Sequence, residues 1–334
     1  MTHLSLTVVW AGIIGFAVVM YVVMDGFDLG IGILFTRFRV GAERDTAMNS
    51  ISPVWDGNET WLVMGGGGLM AAFPLAYAVI LPALYAPMIA MLLGLVFRGV
   101  AFEFRWRDPS HRARWDAGFC AGSIVATFAQ GVTLGALLQG IEISGRSYAG
   151  GYWDWITPFS ALTGASLVVG YALLGACWLI WKTSGTLQTE ARRYARVLSG
   201  GLLAAIAAVS IYTPFLHRQY YETWFTWPGI VALAVMPVIV AAIGILLRRH
   251  IAKGPDGAPF ALTLSLFGLS LLGLVISMWP DLIPGRLSIW DAAAPRSSQV
   301  FMLVGASVLL PLILAYTAWA YWVFRGKVAS EGYH

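Results

Sequence analysis

The chain has 334 residues, 58% of them hydrophobic and only 11% charged, with a formal net charge of +4. A soluble domain carries roughly 25% charged residues, so the composition excludes one and indicates an integral membrane protein. The basic residues are scattered over short segments and form no stripe, which argues against nucleic acid as a partner.

Nine apolar stretches reach the length of about 20 residues that a helical span requires. In chain order they cover approximately 5–35, 53–80, 82–104, 117–140, 156–181, 197–215, 226–247, 259–280 and 299–324. The alternating segments of a membrane barrel do not occur, so the expected fold is all-α, with about nine transmembrane helices in one bundle over 1–334. The opening MTHLSLT lacks a basic n-region, and the first stretch reads as a retained helix. The second begins at Ser52-Pro53, read as an N-cap followed by proline in the first helical position. A tight hairpin at Leu81-Pro82 divides it from the third. The longest connectors, 36–52, 141–155 and 281–298, are short for a folded module.

Loop charge sets the direction of the helices. With the N-terminus periplasmic and the C-terminus cytoplasmic, 17 of the 21 basic residues fall inside, leaving Arg146, Arg218, Arg286 and Arg296 outside. Trp153, Trp155, Trp224, Trp227, Trp279 and Trp290 then fall near the outer interface, as an aromatic belt does.

This topology gives depth to the acids of MDGFDLG and VWDGNETW: Asp25, Asp28, Asp56 and Glu59, joined by Glu103 near the end of the third helix. All five lie in the cytoplasmic half. Carboxylates at such depth are costly and by default mark ion or proton handling. Asp56 and Glu59, three apart, share a helix face. A purely structural account makes Asp28 and Asp56 helix caps and locks Arg98 to Glu103. Asp56, Glu103 and Asp25 are the foremost proton-path residues, with Asp28, Glu59, Arg98, Trp55 and Asn58 as supporting positions. A proton-coupled secondary transporter is the alternative class, but the central portions of the fourth to ninth helices hold no charge.

Gly65 to Gly68, and Gly26, Gly30 and Gly32, suit close helix packing. Met20, Met24, Met64 and Met70 read as core fillers, and Cys120 and Cys177 as small core residues. None of the five histidines (His3, His111, His217, His250, His334) falls in the middle of a helix. Haem iron in a membrane bundle usually needs such a histidine, so haem ligation by this chain is disfavoured.

MDGFDLGIGIL, ERDTAMNSISPVWDGNETWL and FRGVAFEFR resemble subunit II of the cytochrome bd-type quinol oxidases, including the cyanide-insensitive branch. SIWDAAAPRSSQ and LILAYTAWAYWVFRGKV resemble the family's last outer loop and last helix, so the likeness runs nearly end to end. The resemblance implies a partner, cytochrome bd subunit I, that carries two b-type haems and haem d, or a third b-type haem, together with the quinol site. It implies four-electron reduction of dioxygen to water by ubiquinol in the bacterial inner membrane, with protons drawn from the cytoplasm. It sets Asp56 and Glu103 on a hydrophilic route toward the oxygen-reducing haem, although relatives often have Asp where this chain has Glu103. It also brings a structural quinone, small single-helix accessory subunits and membrane lipids as companions, with no residues here matched to the quinone.

Overall fold

A computed structural model describes residues 3–328, apart from the side chains of His3, Leu4 and Ala232. The chain forms α1 (His3–Leu34), α2 (Ala42–Asn49), α3 (Trp55–Ala72), α4 (Pro74–Arg107), α5 (Arg112–Leu138), α6 (Pro158–Lys182), α7 (Gly185–Tyr212), α8 (Arg218–Phe225), α9 (Gly229–Ala252), α10 (Ala258–Met278) and α11 (Arg296–Val323). Two short antiparallel hairpins interrupt the helices: β1 (Ile143–Ser144) with β2 (Ser147–Tyr148), and β3 (Asp281–Ile283) with β4 (Leu287–Ser288). Eight helices among the described residues are long and apolar enough to cross a membrane. The ninth expected span is α3. Its 18 residues extend about 27 Å, but its first turns, WDGNET, are too polar for that class.

Several expected boundaries are corrected. The break between the second and third helices lies at Phe73-Pro74, not at Leu81-Pro82. Phe73 leaves helical geometry and Pro74 opens α4, whereas the Pro82 and Pro87 region produces only a kink at Leu84. Ser52-Pro53 is not the helix start either. Those residues lie in a turn, and α3 begins after Val54 without a side-chain cap. The segment 36–52 contains the short helix α2. The run GTLQTEARRYAR, expected as an inner loop, is the first part of α7. Its straight-chain residues are good helix formers, and the sixth helix therefore starts at Gly185 rather than near 197.

Small residues set the helix spacing. A Cβ on Gly30 of α1 would stand 1.8 Å from the Tyr171 carbonyl oxygen of α6, so the two backbones touch. Gly94 of α4 and Gly122 of α5 meet in the same way. Of the glycine run in α3, Gly65 and Gly68 face Val18 and Ile14 of α1, while Gly66 and Gly67 have open space beside them. Phe27 stacks on Trp178 with ring centroids 4.1 Å apart, and this pair lies in the main buried cluster. Cys120 and Cys177 are free and buried, as expected. Met20, Met24 and Met64 pack around Trp61 and Tyr21, but Met70 is exposed and fills no core.

Both ends of the bundle are tied. At the end that carries the two hairpins, Trp10 Nε1 donates to the Gln299 carbonyl (3.1 Å) and the Ala294 amide to the Ala72 carbonyl (2.8 Å), joining α1, α3 and α11. There α6 also carries a capping box, with Thr157 Oγ1 accepting from the Ser160 amide (3.0 Å) before Pro158. At the other end, residues after α11 form a strap. Lys182 Nζ donates to the Phe324 carbonyl (2.6 Å), and the Val328 amide donates to the Lys182 carbonyl (2.8 Å). Lys327 Nζ reaches Asp256 Oδ2 (2.8 Å), which Arg192 also engages through Oδ1 (2.6 Å).

The Lys327 ammonium, hydrogen-bonded to Asp256, holds that carboxyl below the usual carboxylate range. A carboxyl lowered by folding contributes its full share above the ordinary range near pH 4, and this is lost only as pH falls through the lowered value. The strap is therefore expected to stay docked throughout the neutral range and to loosen as pH falls below the ordinary carboxylate range. D256N should loosen it at every pH. Hydrogen exchange at the Val328 amide checks this, and equal protection in D256N and the parent chain would remove Asp256 from the account.

Candidate functional site

Six side chains from four helices meet where α1, α3, α4 and α11 come together. Asp25 and Asp28 lie three apart on α1 and so project from one face; both are fully buried. Arg98, also fully buried, enters from α4. Its Nη2 lies 3.0 Å from Asp25 Oδ1 and 3.9 Å from Asp28 Oδ2, and its Nη1 lies 2.7 Å from Glu59 Oε1. Asn58 Nδ2 donates to Asp28 Oδ2 (2.7 Å) and to the Met24 carbonyl (3.1 Å). Tyr321 of α11 closes the group by donating to Asn58 Oδ1 (3.1 Å). The Trp55 ring lies 5.2 Å from the guanidinium carbon, a cation–π contact that desolvation strengthens.

The charge balance of this network is uneven. Three carboxyl groups face one guanidinium. Arg98 spends one fork arm on Asp25 of α1 and the other on Glu59 of α3, so its planar guanidinium bridges two helices. Asp25 Oδ2 and Asp28 Oδ1 are left without a hydrogen-bond partner among the described residues. Glu59 is the member nearest the surface, with 28% of its side chain exposed.

This arrangement sorts the expected residues into two groups. Asp25, Asp28, Glu59, Arg98, Asn58 and Trp55 come together. Asp56 and Glu103 do not join them; both are exposed, Asp56 on α3 and Glu103 on α4. They remain close to the network along their own helices, since Asp56 precedes Glu59 by three residues and Trp55 packs on Phe102 at 5.0 Å. Two structural alternatives are overturned. Arg98 pairs with Asp25 and Glu59 rather than with Glu103, because Glu103 projects from the opposite side of α4. Asp28 caps no helix end, since α1 runs on to Leu34.

Tyr321 was not anticipated, and an aromatic-rich last helix gives no signal for one inward hydroxyl. A second ionic cluster was also missed. Arg105, 1% exposed, binds Asp116 Oδ1 (2.5 Å) and Asp45 Oδ1 (2.7 Å), and Arg44 binds Asp116 Oδ2 (2.6 Å). Arg98 and Arg105 thus belong to the packed interior of α4, although loop-charge counting treats them as inner-loop residues.

No cluster of three or more His, Cys, Asp or Glu suited to a metal ion occurs among the described residues. His111 follows α4 in a 3₁₀ turn, His217 precedes α8 and His250 lies in the last turn of α9. The side chain of His3 and all of His334 lie outside the described residues.

A multi-pass helical bundle with buried carboxylate–guanidinium networks between its helices is an integral membrane protein. Residues 6–324 match the family described as cytochrome bd terminal oxidase subunit II, and the chain belongs to that family. It is 31% identical to the cytochrome bd-I ubiquinol oxidase subunit 2 of Escherichia coli strain K12, over 97% of this chain and 95% of that protein. It is also 31% identical to the cytochrome bd ubiquinol oxidase subunit 2 of Bacillus subtilis, over 98% of each. The fold is that of a chain in the structure of bd oxidase from Geobacillus thermodenitrificans, with a TM-score of 0.76, 17% identity, and 97% of this chain and all of that one covered. The chain is thus subunit II of a bd-type quinol oxidase, a multi-pass protein of the bacterial inner membrane. Family membership also removes the transporter alternative.

Proposed function

We propose that this chain partners a haem-bearing subunit I, ligates no haem itself, and supplies a cytoplasmic proton route for the reduction of dioxygen by quinol. In this reading α3 is a ninth crossing, the whole chain is one bundle, the N-terminus is periplasmic and the C-terminus cytoplasmic. The loop-charge split supports that orientation. The haems, two b-type with haem d or a third b-type, belong to the partner and supply the electron transfer and oxygen chemistry. Ubiquinol is the reductant. A structural quinone, single-helix accessory subunits and membrane lipids complete the expected assembly.

One observation carries the proton route: three carboxyl groups gather around a single guanidinium at membrane depth. Such a group is costly to assemble, and two of its buried carboxylate oxygens have no hydrogen-bond partner among the described residues. An unpartnered carboxylate oxygen is a ready acceptor for a proton. Asp56 and Glu103, exposed on α3 and α4, form the end of the route that faces away from this chain. Asp25 stands behind them, held by Arg98, while Asp28, Asn58 and Glu59 keep the network aligned.

The test is Asp56→Asn in the assembled complex. The amide keeps the shape and removes the exchangeable carboxyl proton. Oxygen consumption with quinol is expected to fall by about tenfold, equivalent to ~1.4 kcal/mol on the barrier, with the reduced-minus-oxidised haem spectrum unchanged. Normal turnover in a variant that has its haems would end the assignment of Asp56.

A further inference from the structure

The strap that follows α11 encloses a polar cavity of about 140 Å³ at the end of the bundle away from the periplasmic hairpins. A single water needs roughly 10–15 Å³ by the same measure, so the cavity admits a group of several atoms. Asn49 and Ser50 line it from the end of α2, Lys182 from the end of α6, and Val323, Phe324 and Lys327 from the strap side. Lys182 is 5% exposed; its ammonium donates to the carbonyls of Phe324 (2.6 Å) and Gly326 (3.2 Å) and lies over the rings of Trp178 (5.1 Å) and Trp181 (5.3 Å), with no carboxylate partner among the described residues. An ammonium carries three donors, and a buried cation without a counter-ion is costly. Lys327 adds a second positive charge, shared with Asp256. Among the described residues, two lysines and no carboxylate line the cavity.

A second feature narrows the ligand. Asn49 is 6% exposed, and its Oδ1 has no hydrogen-bond partner among the described residues. A bare anion satisfies the lysines and leaves this acceptor open. A ligand that joins an anion to a hydrogen-bond donor satisfies both. The location supplies the rest. Val323, which lines the cavity, continues into the exposed apolar face of Tyr316, Trp319 and Trp322 on α11, a path suited to acyl chains.

We propose that this cavity is a lipid headgroup site, holding the phosphodiester of a membrane lipid whose headgroup alcohol carries a hydrogen-bond donor, as ethanolamine and glycerol do. The phosphate meets Lys182 and Lys327, and the donor meets Asn49 Oδ1. The bound headgroup ties α2, α6 and the strap together from one side of the membrane.

The experiment is native mass spectrometry of the purified complex with phosphatidylethanolamine, phosphatidylglycerol or phosphatidylcholine of matched acyl chains, each with and without inorganic phosphate. Choline has no donor, so the first two lipids should be retained about fivefold better than the third, the worth of one hydrogen bond. N49L should abolish that preference, and K327Q should weaken all three. N49L touches no strap contact, and Val328 hydrogen exchange in both variants reports whether the strap is still docked. Equal retention of phosphatidylcholine by the parent complex overturns the donor requirement. Adducts unchanged in both variants move the lipid elsewhere and overturn the site. Displacement of every lipid by inorganic phosphate assigns the cavity to a free anion and overturns the lipid assignment.

Discussion

Replacing Arg98 with methionine is expected to abolish most assembly of the complex. The guanidinium is fully buried, and it is the shared partner of Asp25 and Glu59 on two different helices. Methionine fills much of the same volume, so the dominant effect is charge. Removing one partner of a buried ionic group costs about 3–5 kcal/mol, because the remaining carboxyl groups keep their desolvation penalty and lose its compensation. That is comparable to the whole margin of many folded proteins, about 5–15 kcal/mol. Adding D25N and E59Q to R98M should restore part of the loss, since it neutralises the two carboxyl groups in direct contact with the guanidinium and leaves only Asp28, which Asn58 holds. The yield of haem-loaded complex and its thermal inactivation temperature measure both variants. If R98M assembled as well as the parent, or the triple variant were worse than R98M, the network would not be held by its central charge.

The second large effect is steric. Gly30→Ala introduces a methyl group 1.8 Å from the Tyr171 carbonyl oxygen, and the next nearest atoms are also backbone, so no side chain can swing aside. Helices α1 and α6 must separate along the interface that also holds the Phe27–Trp178 stack. Overpacking of a filled core costs about 1–3 kcal/mol and occasionally more. Gly273→Ala is the matched control, since its added methyl meets nothing within 4 Å and alanine is the better helix former. G30A should lower the melting temperature and the yield, and G273A should change neither downward. Parallel behaviour of the two would contradict the close α1–α6 contact.

Much of this structure was legible in the sequence because hydrophobic length is a strong signal in a membrane. The order of the long helices and the family motifs followed from the chain. The failures have identifiable causes. Polar helical turns outside hydrocarbon look like loops, which hid the start of α7 at Gly185. Two prolines, Pro74 and Pro82, compete as breakers. The sequence favours neither, and Phe73 decides by leaving helical geometry. The acids were recognised as a set, but only the three-dimensional contacts separate Asp25, Asp28 and Glu59, gathered on Arg98, from Asp56 and Glu103, which face outward. Spacing of three places two acids on one side of a helix but does not say what that side meets. Tyr321 was invisible for the same reason, since its partner Asn58 lies 263 residues earlier.

That long separation also has a consequence for biosynthesis. Arg98 is made 73 residues after Asp25, an interval of roughly 4–15 s at a translation rate of about 5–20 residues per second. Throughout that interval the nascent first helix carries two acids whose guanidinium partner has not yet been made. Tyr321 arrives last and completes the contact with Asn58 only when α11 has been released. Formation of the network therefore trails the first helix, and its charges are matched only as the later helices join it.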